Sequence, residues 1–186
     1  MPLTTKGVFY PAASAQPNVP ADMQKLAQSV DDRFIPAFTP ARIYAYKTTD
    51  QLAPAPSLTV PVTIIFNGTQ GTAQNISLNT TTGVMTIDAG AGGEYTVAGA
   101  ANFAETGPSR VFSTIYVNGA EVLRGQDNIN RGAQSGDVVG SILAGPLTLA
   151  AGDQVTLRAL HTGAAGAGVV APNGVFVNWI SLRRIA

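Results

Sequence analysis

The chain has no cysteine, one histidine and one tryptophan, and only 12% of its 186 residues are charged. Without thiols there is no disulfide framework, no thiolate metal site and no thiol nucleophile, so stability has to come from packing. Eleven basic and eleven acidic side chains cancel. No long run of either sign occurs, which argues against nucleic acid or an anionic membrane surface as partner. No stretch approaches the roughly 20 apolar residues that cross a bilayer. The opening MPLTTKGVFYP lacks the apolar core of a signal peptide, so a soluble protein made in a cytoplasm is expected. On that expectation the N-x-S/T sequons at Asn67, Asn75 and Asn79 are chance matches in a Thr-rich chain.

The apolar fraction of 45% is ordinary, whereas charged residues usually make up about 25% of a soluble domain. A monomer so short of charge would expose much uncharged surface. Burial of part of that surface between identical subunits is the simplest remedy, so a homo-oligomer is expected.

Hydrophobic patterning over most of the chain has the period of strands. Tyr95, Val97, Gly99, Ala101 and Phe103 fall on one side of an extended segment. Leu147 and Leu149 lead into Gly152-Asp153, after which Val155, Leu157 and Ala159 alternate with Thr156 and Arg158, giving two strands about a turn. Leu58, Val60, Val62, Ile64 and Phe66 form another apolar face before Asn67-Gly68. Val84 to Asp88 predicts a further strand, followed by the glycine-rich step from Ala89 to Gly93. Arg110 to Val117 is apolar on both faces, with Val111, Ile115 and Val117 on one and Phe112 and Tyr116 on the other, so it needs cover on two sides. The chain ends on VFVNWISLRRI, an aromatic-rich strand that would fray unless a central sheet position held it, so it is assigned to the core. Evenly spaced short strands separated by turn signals predict an all-β sandwich.

The front of the chain reads differently. Pro2, Pro11 and Pro17 keep residues 1–17 extended, and Val8, Phe9 and Tyr10 have nothing local to cover them. From Asn18 to Arg33 a helix is predicted, with Asn18 as cap, Pro20 in the first turn and Asp22 at the positive end of the dipole. Met23, Leu26, Ala27 and Val30 form one stripe at helical spacing. A helix of about fifteen residues is marginal alone. The stripe therefore packs on its own sandwich, on sister helices or on another protein. Between Phe34 and Pro56 a proline-rich linker carries one strand, Arg42 to Lys47, expected at the sandwich edge.

Candidate chemistry is sparse. His161 ends a strand and has no ligand cluster in sequence, so it reads as a strand-end polar residue. Asp153 in its turn is expected to bond backbone rather than calcium, which needs about six oxygen ligands. Asp127 and Asp137 sit in a long loop from Gly125 to Gly140. Glu94, Glu105 and Glu121 are the only glutamates, and nothing places two of them at the about 5 to 9.5 Å that glycoside hydrolysis requires. The run from Gly163 to Gly168 lacks the lysine of a phosphate loop and reads as an outer binding loop. No catalytic residue, cofactor or metal is expected, and the chain is read as a binding protein, not an enzyme.

Four features in order carry a resemblance: the G-x-Y-x-V opening at Gly93, the V-N-G hairpin at Val117 to Gly119, the L-x-x-G-D-x-V turn from Leu149 to Val155, and the terminal aromatic strand. Together they resemble the jelly roll shared by the complement globular head and the tumour necrosis factor superfamily, over roughly the last half to three quarters of the chain. The resemblance implies a ten-strand sandwich that trimerises about a three-fold axis, partly through aromatic residues, and binds through outer loops. Phe112, Tyr116, Phe176 and Trp179 are the candidate trimer residues on that basis.

Tyr10 to Asp31, YPAASAQPNVPADMQKLAQSVD, resembles a short segment of tailed-phage virion proteins, with its Y-P-x-x-S leader, V-P-x-D helix start and L-A-x-x-V-D helix end. The DDRFIPAF continuation departs from the tandem repetition of that module in some fibre proteins. The expectation is an all-β, trimeric jelly roll over 41–186, preceded by an extended leader and one short α-helix over 1–40. Anchoring is assigned to Phe9, Tyr10, Met23, Leu26 and Val30. The resemblance implies a virion location and a minor tail, fibre or spike role, with a host cell-surface glycan bound by outer loops. A capsid-attached head fibre or decoration protein is the alternative, and a polysaccharide depolymerase the opposing class.

Overall fold

The computed structural model describes residues 21–29, 40–52, 57–105, 109–126, 128–130, 137–162, 168–169 and 178–185. Two compact units result, Met1–Thr39 and Pro40–Ala186. In the first, residues 21–29 are helical (α1). The Ser29 hydroxyl donates to the Leu26 carbonyl at 2.8 Å. Residues 18–20 and 30–33 of the expected helix lie outside the described residues.

The second unit is built from antiparallel strands in two sheets. One sheet contains β1 (Arg42–Tyr46), β2 (Gln51–Leu52), β4 (Gly68–Thr69), β7 (Gly93–Glu105), β11 (Asp137–Leu149), β13 (Gly168–Val169) and β14 (Trp179–Arg184). Its order is β2-β13-β7-β14-β1-β4, with β11 on β7. The other contains β3 (Ser57–Thr63), β5 (Ile76–Leu78), β6 (Met85–Ile87), β8 (Ser109–Val117), β9 (Ala120–Arg124), β10 (Asn128–Asn130) and β12 (Gln154–His161). Its order is β10-β8-β12-β6-β5, with β3 on β12 and β9 on β8.

Alternation buries one side of the long strands β7, β8, β12 and β14 between the sheets. Tyr95, Val97, Ala101 and Phe103 of β7 and Ile180 and Leu182 of β14 are fully buried, facing Val111, Ile115, Val155, Leu157 and Ala159 of the other sheet. Each fully buried aliphatic or aromatic side chain contributes about 1.5–3 kcal/mol relative to exposure. The terminal strand is central, with β1 on one side and β7 on the other.

Local chemistry fixes the turns. Val117 pairs with Ala120 across Asn118-Gly119, whose φ values of 51° and 83° are those of the primed two-residue hairpin that asparagine and glycine favour. The Asn118 amide donates to Asp153 Oδ1 at 2.8 Å, and the Ala150 backbone N–H donates to Asp153 Oδ2 at 2.8 Å. Asp153 therefore closes through Oδ2 the turn that carries the chain from β11 in one sheet to β12 in the other, and through Oδ1 ties that turn to the β8–β9 hairpin.

Three expectations are corrected. The Arg42 strand is not at the edge: β1 pairs β14 over five positions and β4 on its other side. The apolar face from Leu58 to Phe66 is broken, because β3 slips register between Ala159 and His161 of β12, next to Pro61, which has no N–H to donate. Val60 is thereby 62% exposed while Val62, Ile64 and Phe66 are buried. The segment from Gly125 to Gly140 is not all loop: Asn128–Asn130 pairs with β8, and β11 begins at Asp137.

Candidate interaction surfaces

With one side of each sheet in the core, function rests on the two outer faces. On the first sheet, register places Ile142, Ala144 and Pro146 of β11 beside Ala100, Ala98 and Thr96 of β7. Those in turn lie beside Trp179, Ser181 and Arg183 of β14, and these beside Tyr46, Tyr44 and Arg42 of β1. The face therefore grades along the strands from aromatic and aliphatic, through small residues, to arginine. Ile142 is 67% exposed in the middle of a long strand, and the Tyr44 and Trp179 rings stack at 5.5 Å and 10°. Partial burial raises the Tyr44 phenol above its ordinary value.

The arginine end is concave. Arg42, Ile43, Tyr44, Gln70, Gly71, Thr72, Ser181, Leu182 and Arg183 line a groove of about 450 Å³. Across Arg183, a second hollow of about 430 Å³ is lined by Thr96, Ala98, Ser181, Arg183, Arg184 and Ile185.

On the outer face of the second sheet, two aromatic rings are covered by arginines. The Arg158 guanidinium sits 4.1 Å from the Tyr116 ring centre and Arg124 sits 5.1 Å from that of Phe112, both within cation–π range. Glu121 joins them, accepting from Arg124 at 2.7 and 3.0 Å and from the Tyr116 hydroxyl at 3.3 Å. The hydrogen bond from Arg124 holds the Glu121 carboxyl below its ordinary value. Burial and then the Glu121 charge raise the Tyr116 phenol.

Of the aromatic residues assigned to a trimer seam, Trp179 thus lies on the outer face of one sheet and Phe112 and Tyr116 on that of the other. Phe176 lies outside the described residues. The structure does not bring Trp179 together with Phe112 and Tyr116, because the sandwich separates the two faces. Among the anchoring residues, Met23 and Leu26 are exposed on α1, while Phe9, Tyr10 and Val30 lie outside the described residues, as do the glycine-rich residues 163–167. Sequence reasoning passed over Ile142, Arg42 and Arg183. Period-two alternation marked which side of a strand is buried, but pairing Arg42 with Arg183 needed the register of β1 on β14.

Candidate chemical groups are dispersed. His161 is buried, its ring stacked on Phe103 at 4.7 Å and 21°, so it belongs to the core rather than a strand-end surface. Glu94 and Glu121 lie on different sheets. Among the described residues, no three histidine, cysteine, aspartate or glutamate side chains group as a metal site, and no helix is long and apolar enough to cross a membrane.

Two antiparallel sheets, a crossover at the Gly-Asp turn and a central terminal strand define a jelly-roll sandwich of the tumour necrosis factor type. Eiger, a tumour necrosis factor from S. frugiperda, shares this fold over 80% of this chain and 94% of its own, at 13% identity and a TM-score of 0.60. Murine APRIL at pH 8.5 matches over 78% of this chain and 99% of its own, at 9% identity and a TM-score of 0.50. No protein-family model matches the chain, and neither does any curated protein sequence. At such identities the likeness establishes the fold alone.

Proposed function

We propose that this chain is a non-enzymatic structural protein of a tailed-phage particle, a trimeric minor tail, fibre or spike protein anchored by its N-terminal segment and adhering to a host-surface glycan. The observation that carries the assembly part is the aliphatic end of the first sheet's outer face, where Ile142 of β11 is 67% exposed. Apolar surface of this kind, in a chain with only 12% charged residues, is the signature of a surface meant to be covered. A second copy is the simplest cover, and the jelly-roll resemblance supports three. The virion part is supported by the phage-like segment from Tyr10 to Asp31 and by the exposure of Met23 and Leu26 on α1.

The test is a cryo-electron microscopy map of the intact particle, searched for this chain. Three copies on the tail or baseplate support the adhesin reading. Copies over the capsid lattice move it to a head fibre or decoration protein. No copy in the particle removes the virion reading. In solution, sedimentation of the purified chain is expected to give a trimer and Ile142→Arg a monomer, because a buried unpaired guanidinium is costly. A wild-type monomer at micromolar concentration removes the assembly reading.

A further inference from the structure

Arg42 and Arg183 are directly opposed partners across the antiparallel β1–β14 pair. Like charges in that relation destabilise a sheet, and among the described residues neither guanidinium has a carboxylate salt-bridge partner. Opposed residues of an antiparallel pair lie about 4.5–5.5 Å apart at Cα, and both arginines line one volume. That volume is the groove of about 450 Å³, whose remaining wall supplies the Gln70 amide, the Thr72 and Ser181 hydroxyls and the Tyr44 ring. Tyr44 is held by its stack on Trp179. Its size is that of an ordinary small-ligand site, about 300–1,000 Å³.

We infer that this groove binds an oxyanion carried on a polyhydroxylated chain, the carboxylate of a uronic-acid sugar or the phosphate of a polyol-phosphate polymer. Two guanidiniums suit bidentate capture of a planar or tetrahedral oxyanion, and the charge-assisted hydrogen bonds would relieve the repulsion between them. The amide and hydroxyls match a ligand with many hydroxyl groups, and an aromatic wall matches the apolar face of a sugar ring. Arg183 also borders the second hollow, with Thr96, Ala98, Ser181, Arg184 and Ile185, so the trough suits a chain rather than an isolated ion. The inference deepens the adhesion part of the proposed function and moves the binding site from the outer loops to a sheet surface. It does not depend on the trimer or on the virion location.

The test uses the full 186-residue chain, titrated by calorimetry with three probes: oligogalacturonate, a short glycerol-phosphate oligomer and a neutral maltooligosaccharide. Binding of either acidic probe but not the neutral one is expected, weakened by raising NaCl from 50 to 300 mM and reduced at least tenfold in Arg42→Gln and Arg183→Gln. Which acidic probe binds names the source of the oxyanion. Absence of binding by both acidic probes at 10 mM overturns the inference, as does equal binding of the neutral probe or undiminished binding by the double variant. Both arginines are exposed, so the variants are expected to keep the wild-type circular dichroism spectrum. If they instead change the sedimenting mass, the pair serves a subunit seam and the ligand assignment fails. A wild-type monomer that still binds oligogalacturonate would sink the assembly reading and leave the groove intact.

Discussion

Gly83 shows how far one hydrogen atom decides a hairpin. It follows Asn79, whose Oδ1 accepts from the N–H groups of Thr81 and Thr82 at 2.9 and 3.1 Å, and closes the loop by donating to the Asn79 carbonyl at 2.8 Å. Its φ is 73°, and a Cβ there would lie 2.3 Å from the Ile64 carbonyl oxygen. At Gly90, with φ of 79°, a Cβ would meet nothing within 4 Å. Gly90→Ala is therefore expected to cost about 1 kcal/mol, the left-handed conformation alone, and Gly83→Ala about 3 kcal/mol, because backbone must also move. Urea midpoints that rank the two the other way would show that the loop relaxes freely. Lys47 offers a second test. Its side chain is buried and donates to the Ile65 carbonyl at 3.1 Å. Burial lowers its pKa from 10.5, against a smaller opposing pull from Asp50. The unfolded chain then holds that proton to higher pH than the folded one, so stability relative to Lys47→Met rises between the lowered value and about 10.5. Denaturation at neutral pH and at pH 10 reads the sign; a wild-type stability that falls relative to Lys47→Met between the two refutes it. Single residues were legible where chemistry is local, as in Asn118-Gly119 and Asp153. His161 was not, because only tertiary packing puts Phe103 against it.

At the scale of elements, strands of the core were readable because one buried side imposes period two, and Gly-Asp or Asn-Gly turns cut them apart. What escaped is set by partners distant in sequence. Proline density made the Arg42 segment look like a linker, yet β1 is stitched into the sheet by β14, more than a hundred residues later. Gln51 is another case, donating to the Thr63 carbonyl at 2.6 Å and accepting from the Ile65 N–H at 2.8 Å, so that a side chain stands in for a strand. At the start of β14 the buried Asn178 ties three elements. Its Oδ1 accepts from the Asn102 N–H at 2.7 Å, and its carbonyl accepts from the Lys47 N–H at 3.1 Å. Asn178→Ala removes the first of these acceptors and is expected to cost about 1–3 kcal/mol. Asn178→Asp keeps an acceptor oxygen and should recover part of that loss. Ending the chain after Asn178 removes Ile180 and Leu182 from between the sheets along with both neighbours' hydrogen bonds. No cooperative thermal transition is expected from that truncation, and a sharp one would mean that β1 and β7 can close the sheet alone.

For the whole molecule, the division at Thr39 separates the jelly roll from the segment proposed as its anchor. Among the described residues, the buried cluster runs from Ala41 to Leu182. The jelly roll thus contains its own core, and a chain of residues 40–186 is expected to keep the wild-type far-ultraviolet spectrum with a melting temperature within a few degrees. The outer face around Ile142 is also wholly within that span, so the shortened chain should sediment as the same oligomer. Mixed with particles lacking the protein, it should fail to join them, since the phage-like segment and the exposed Met23 and Leu26 have been removed. Met23→Asp with Leu26→Asp in the full chain supplies the finer control, because both side chains are exposed and their replacement leaves the core untouched. Loss of attachment by both proteins, with mass and melting unchanged, places anchoring on the apolar stripe of α1. If the shortened chain falls to a monomer, the N-terminal segment holds the subunits together, and the face around Ile142 is left needing a different cover.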